Sequence, residues 1–270
     1  MSDVVLVVLQ RLDAAAHLLR AAERLAALAG AGRVNVLAVH TPPGYVTISP
    51  EASVSPLLDE LLAFEETRIA ALHEVYQHWA AGVVDASLTT HWSSVQGLAD
   101  PIVNEGRQVD FVVVGRPARD DDPPTKRAFH AALFKTGRPV LVVPRRWDAE
   151  FGHSVAVAWR EDSRAANAVL PALRYLQGAA PLHVLVGLRQ GTAHPHLPRI
   201  FADHGVQAEL HVLPLGPEVF GQKLLDKARE LDIDLLIMGA YAHSPLVEAL
   251  LGGVTRYVLA HADLPLLMRH

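Results

Sequence analysis

Cysteine is absent from the 270 residues. Its absence excludes disulfides, thiolate metal sites and thiol catalysis, and it suits a reducing compartment. Long hydrophobic runs are absent as well. No uninterrupted apolar stretch approaches the roughly 20 residues needed to span a bilayer. The opening "MSDVVLVVLQ" has neither a basic n-region nor a long apolar core, so no signal peptide is expected. Positive charge is not in excess: the formal net charge is −5, which argues against a general nucleic-acid binder. The expectation is a soluble cytoplasmic protein with neither membrane nor nucleic acid among its partners. Catalytic signatures are missing too. There is no Walker sequence, "GHSV" (Gly152–Val155) lacks the Gly-x-Ser-x-Gly elbow, and no Ser–His–Asp order stands out, so no catalytic residue is assigned.

Hydrophobic residues make up 50% of the chain, enough for a sizeable core. Short β-rich apolar runs alternate with longer helical patterns. Strands are expected at Val4–Leu9, Val34–His40, Asp85–Trp92, Asp110–Gly115 and Pro139–Pro144. Helices are expected from Asp13, as N-cap, to Ala29 with Gly30 as the stop, and from about Pro50 to Ala81. In that long helix Phe64, Tyr76 and Trp79 are read as packing residues rather than a ligand box. The order then restarts, with strands at Ser154–Trp159, Leu182–Gly187, Ala208–Leu213, Asp234–Gly239 and Pro265–Met268. "VDFVVVGRPA" resembles "IDLLIMGAYA", and "GRPVLVV" resembles "ADLPLLM", so the chain reads as an internal repeat. The implied domains are 1–147 and 152–270, linked near "RRWDAEFG". Continuous apolar strands alternating with helices imply two doubly wound α/β domains, each with a five-stranded parallel sheet of order 3-2-1-4-5. Equivalent surfaces on related domains suggest an intrachain pseudo-dimer, with a homodimer of chains as a further option.

Ligands of such sheets bind at the carboxyl ends of the strands, where strand order reverses. Met238 and Gly239 end a strand there. Ser244-Pro245 resembles a helix N-cap followed by proline, and a short turn of helix should run to Leu251. Gly252 and Gly253 then precede a last helix whose first N–H groups, at Val254 and Thr255, suit an anion. The residues leave two readings open: phosphate binding, or plain turn chemistry in which Gly252 stops one helix and Gly253 is a loop residue.

This segment resembles the universal stress protein family. Nucleotide-binding members of that family carry Gly, two residues, Gly, nine residues, Gly, then Ser or Thr. The frame falls on Gly239, Ala242, Gly252 and Gly253, with alanine in place of the second glycine and glycine in place of the hydroxyl residue. Thr255 keeps a hydroxyl two positions on. The resemblance implies a tandem, stress-linked protein whose C-terminal domain binds an adenine nucleotide, ATP, through Met238, Gly239, Ala242, Gly252, Gly253, Val254, Thr255 and Trp159. The family's first strand usually ends in an acidic residue. Here the matching positions are Trp159 or Arg160, and Leu9 or Gln10, and none of them is a carboxylate. Trp159 either stacks on a base or fills the base pocket.

The first half departs further. Gly115 is kept, Ala118 replaces the second glycine, and Lys126-Arg127 stands where the glycine pair would be. "RDDDPP" (Arg119–Pro124) places three carboxylates beside them and reads as a solvated charged loop, so the first site is expected to be degenerate. Fifteen histidines invite a metal reading. His194 and His196 lie two apart in a proline-bearing stretch, with Pro195 between them and Pro198 after, but two ligands do not make a zinc site, so no metal is expected and the segment reads as an exposed loop. His243 lies inside the glycine frame. Three functions remain: the nucleotide-binding protein, a family member that works through protein contacts without nucleotide, and a slow nucleotide hydrolase.

Overall fold

A computed structural model describes residues 3–42, 54–145, 147, 150–160, 163–176, 182–240 and 253–270. The chain divides into two compact units, Met1–Arg138 and Pro139–His270. Ala242, His243, Ser244, Pro245, Leu251 and Gly252 lie outside the described residues.

In the first unit, β1 (Val4–Leu9), β2 (Arg33–His40), β3 (Thr89–Gln96) and β4 (Phe111–Gly115) alternate with α1 (Leu12–Ala29), α2 (Val54–Gly82), α3 (Asp100–Gly106) and α4 (Pro123–Lys135). The sheet order is β3-β2-β1-β4, with β1 paired in parallel to both β2 and β4. β1 and β4 are apolar along their whole length because helices cover both faces: Val5, Val7, Leu9, Val112 and Val113 are fully buried. Gly30 ends α1 at φ 60°, ψ 30°, the left-handed region that glycine enters without a Cβ penalty, and its N–H reaches the carbonyls of Ala26 and Ala27. Asp13 is not the N-cap. Arg11 holds that position in extended conformation, and Asp13 lies in the first turn and takes Arg11 Nε at 2.9 Å. β3 begins four residues later than its sequence pattern suggests. Asp85 accepts the N–H and hydroxyl of Ser87 at 2.8 and 2.6 Å, and that local turn displaces the ladder.

The aromatics of α2 separate into two groups. Tyr76 lies 5.3 Å from Trp92 of β3, and Trp79 donates its indole N–H to Glu23 of α1 at 2.8 Å. Both therefore pack the long helix onto its neighbours, as expected. Phe64 does not: it is 70% exposed.

The second unit contains β5 (Val140–Val143), β6 (Val155–Trp159), α5 (Ser163–Leu176), β7 (Leu182–Arg189), α6 (Arg199–Asp203), β8 (Glu209–Leu215), α7 (Phe220–Glu230), β9 (Leu235–Gly239), α8 (Val254–His261) and β10 (Leu266–Arg269). Parallel pairing gives β8-β7-β6-β9-β10, which is the order 3-2-1-4-5. The doubly wound α/β class read from the sequence is therefore the class of the fold. The fifth strand of the first repeat departs from a self-contained sheet: β5 pairs antiparallel with β10, Leu141 opposite Leu267. Both are short apolar strands, buried throughout except for Arg269, and an apolar strand left at an edge would present an unpaired ladder.

One device recurs in both units. Asp110, just before β4, accepts the N–H of Val4 at 2.9 Å. Asp234, just before β9, accepts the N–H groups of Gly152, His153 and Ser154 at 2.8, 2.9 and 3.2 Å. Each carboxylate thus fixes where the first strand of its repeat starts. Another local detail concerns Pro171 inside α5, which has no N–H for the carbonyl of Asn167. Arg269 of β10 donates to that carbonyl instead, at 3.3 Å.

Candidate functional site

Strand order reverses between β6 and β9 in the second unit, so the crevice lies at the carboxyl ends of these two strands. Ala158 pairs with Met238, which brings Trp159 and Gly239 to the two sides of the switch point. On its other side Gly239 pairs with Arg269. α8 leads back to the start of β10, so its N-terminus lies toward the carboxyl end of the sheet. Eight residues of helix span about 12 Å, comparable to the strand it covers. Gly253 is the N-cap of α8, at φ −55° and ψ 148°, with no side-chain cap. Val254 and Thr255 are the first two residues of α8, so their N–H groups open the helix. Met238 and Thr255 are buried, at 4% and 5% exposure. The fold thus gathers Trp159, Met238, Gly239, Gly253, Val254 and Thr255 at one end of one sheet.

Trp159 is half-buried and meets the fully buried Phe201 of α6 edge-on, with ring centroids 5.9 Å apart. Its indole is braced by protein on one side. Among the described residues no carboxylate ends β6. Arginines mark this end of the unit instead: Arg160 follows β6, Arg256 lies in the first turn of α8, and Arg269 stands beside Gly239.

The equivalent end of the first unit is built differently. Its switch point lies between β1 and β4, and an ion pair crosses it. Arg11, just past β1, donates through Nη1 to Asp121, just past β4. The Asp121 side chain is only 2% exposed and also accepts the N–H of Ala118 at 2.7 Å. A second pair closes the neighbouring gap. Arg68 of α2 donates to the carbonyls of Gln10 and Val39 at 2.7 and 2.8 Å, and it grips Glu65 through two nitrogens. Glu65 in turn accepts the N–H of Thr41 at 2.6 Å. Strand ends that a ligand would use are thus occupied by the protein's own charges.

The charged run Arg119–Pro124 is a solvated loop only in part: Arg119, Asp120, Asp122 and Pro123 are exposed, whereas Asp121 is buried. Asp121 is buried in the Arg11 pair, and Asp122 caps α4 by accepting the N–H of Thr125 at 2.7 Å ahead of two prolines. Lys126 donates to the carbonyl of Arg119 at 2.7 Å. Sequence reasoning sought a carboxylate at the end of β1 and missed the reversed arrangement. The available signal was a cation at that strand end together with an acidic run after β4.

Burial opposes the charge on Glu65, but the Arg68 guanidinium and the Thr41 N–H outweigh it and hold the carboxyl below the usual range. A depressed folded-state pKa stabilises above the unfolded value of about 4.3, and that contribution is lost as pH falls through the folded value. Glu65→Gln is therefore expected to flatten the acid limb of stability against pH. Urea midpoints measured from neutral pH down to the acid transition check this, and a variant with an unchanged acid limb contradicts it.

Comparison with known proteins agrees with this architecture. The Universal stress protein family model matches residues 219–270, the segment from α7 through β9 and α8 to β10. A universal stress protein from Archaeoglobus fulgidus DSM 4304 matches 100% of this chain and 96% of its own at 16% identity, with a TM-score of 0.71. A functionally unknown protein from Pseudomonas aeruginosa PAO1 matches 99% of this chain and 92% of its own at 17% identity, with a TM-score of 0.59. At these identities the structural likeness speaks for the fold. No curated protein matches the chain. Among the described residues no helix is long and apolar enough to cross a membrane.

Proposed function

We propose that this chain, a tandem relative of the universal stress proteins, binds one adenine nucleotide per chain, ATP, in its second unit. The observation that carries this reading is Gly253. It caps α8 without a side chain, in a backbone conformation open to any residue, at the sheet end that also holds Gly239. A glycine that its backbone does not require suits close approach of a ligand. The α8 N-terminus supplies N–H donors and a favourable dipole for a phosphate, and the nearby arginines suit its charge. The first unit does not fit such a ligand, because Arg11–Asp121 and Arg68–Glu65 hold the equivalent strand ends. The role we read is binding and stress-linked regulation; among the described residues no base and nucleophile are paired at the crevice.

One observation favours a second reading, in which the protein acts through protein contacts without nucleotide. Trp159 packs on Phe201 where the family carries a carboxylate, and an indole in that place fills a base pocket. Calorimetry with ATP on the purified full chain separates the readings, alongside mass spectrometry of co-purified nucleotide. One site per chain is expected. Two equal sites, or none, overturn the proposal.

A further inference from the structure

We propose that His183, Glu209 and His211 bind a divalent first-row metal ion, with zinc the best match, at the amino-terminal end of the second unit's sheet. β7 and β8 run parallel with His183 opposite Glu209 and Leu185 opposite His211. Side chains alternate along a strand, so Glu209 and His211 share one face of β8, and the register puts His183 beside both. His183 Nδ1 lies 2.9 Å from His211 Nε2. The two carboxylate oxygens divide between them: Oε2 is 3.8 Å from the His183 nitrogen and Oε1 is 3.8 Å from the His211 nitrogen. One ligand atom from each residue lies within 4.8 Å of the others.

These separations suit a shared ion. Around tetrahedral zinc, with bonds of about 2.0–2.2 Å, ligand atoms stand about 3.3–3.6 Å apart. The imidazole nitrogens need to part by a few tenths of an ångström, and the Glu209 carboxylate needs to turn so that one oxygen comes within reach of both nitrogens. Glu209 has the room, with a side chain 67% exposed. The imidazoles are held by the sheet, their side chains 6% and 12% exposed. Two imidazoles and one carboxylate form a nitrogen–oxygen set suited to zinc and its neighbours rather than to calcium or magnesium, and three protein ligands leave a fourth position for water or an exchangeable group.

Burial first, and His211 second, push the His183 pKa down; Glu209 opposes this and Lys227 adds to it. Lys227 of α7 directs its ammonium to Glu230 at 2.7 Å. The competing account places a single shared proton between the imidazoles, an N–H···N hydrogen bond in which Glu209 has no part. The site lies at the opposite end of the strands from Gly239, so it stands or falls independently of nucleotide binding.

The test uses the full chain, without an affinity tag and stripped with chelator, titrated with Zn²⁺ by calorimetry and with Co²⁺ by visible absorption. One ion per chain is expected, with the intense visible bands of low-coordinate Co²⁺ and a Zn²⁺-dependent rise in melting temperature. Glu209→Gln and His211→Gln should each weaken binding by about 100-fold or more. His194→Gln combined with His196→Gln, in the exposed loop, should change nothing. Glu209→Gln is decisive because its side chain faces solvent and the fold does not depend on it. Wild-type affinity in Glu209→Gln and His211→Gln overturns the site. So does binding lost only in the loop double variant, or no stoichiometric binding by the parent chain.

Discussion

Gly253→Val is expected to lower ATP affinity by at least about 100-fold, roughly 3 kcal/mol, while costing the fold no more than about 1 kcal/mol. At φ −55° and ψ 148° Gly253 is extended, so valine fits there without strain. Its branched side chain would stand ahead of the Val254 and Thr255 N–H groups, in the space the proposal gives to a phosphate. Thr255→Ala should behave differently. Thr255 is buried in the first turn of α8, so the loss of about 0.5–1.5 kcal/mol for a hydrogen bond should appear in stability as well as in affinity. If the glycines only separate two helices, Gly253→Val leaves affinity untouched. Calorimetry and thermal melts on the same two variants decide between the accounts, and unchanged ATP affinity in Gly253→Val ends the phosphate reading.

Asp121→Ala is expected to destabilise the protein by about 2–4 kcal/mol, the largest stability change anticipated for a single side chain at the first unit's switch point. The carboxylate is almost wholly buried, paired with Arg11 and bonded to the N–H of Ala118. Its removal leaves that N–H without its carboxylate acceptor and takes one counter-charge from Arg11, whose side chain is 32% exposed. Arg11 keeps Asp13, which tempers the loss. Asp13→Ala provides the comparison: its side chain is 54% exposed, and an exposed pair contributes about 0–1 kcal/mol. Urea unfolding of both variants measures the difference. If Asp121→Ala costs no more than Asp13→Ala, Asp121 is a surface charge and does not close the crevice.

The site was legible in part, and the legible part follows from periodicity. Gly239 could be placed at a strand end because "LLIM" is an unbroken apolar run before it, and Gly253 at a helix start because a helical pattern follows it. The pairings that close the first unit could not be read this way. Arg11 and Asp121 are far apart in the chain, and no local pattern says that the ends of β1 and β4 meet. The histidine–glutamate cluster was hidden for a related reason. "LH" and "ELH" carry no ligand spacing of their own, and only the register of β7 on β8 sets His183 against Glu209.

Sequence by itself determined the class of fold, the repeat and most strand and helix positions. These depend on hydrophobic period and on glycine, proline and charge placed at particular positions, all short-range properties of the chain. Tertiary structure decided which charges meet across a switch point, that β5 takes β10 as an antiparallel neighbour, and that Trp159 leans on Phe201. Each of these depends on strand order and register, which are settled by burying apolar faces and edges over the whole sheet and are not encoded in any one segment.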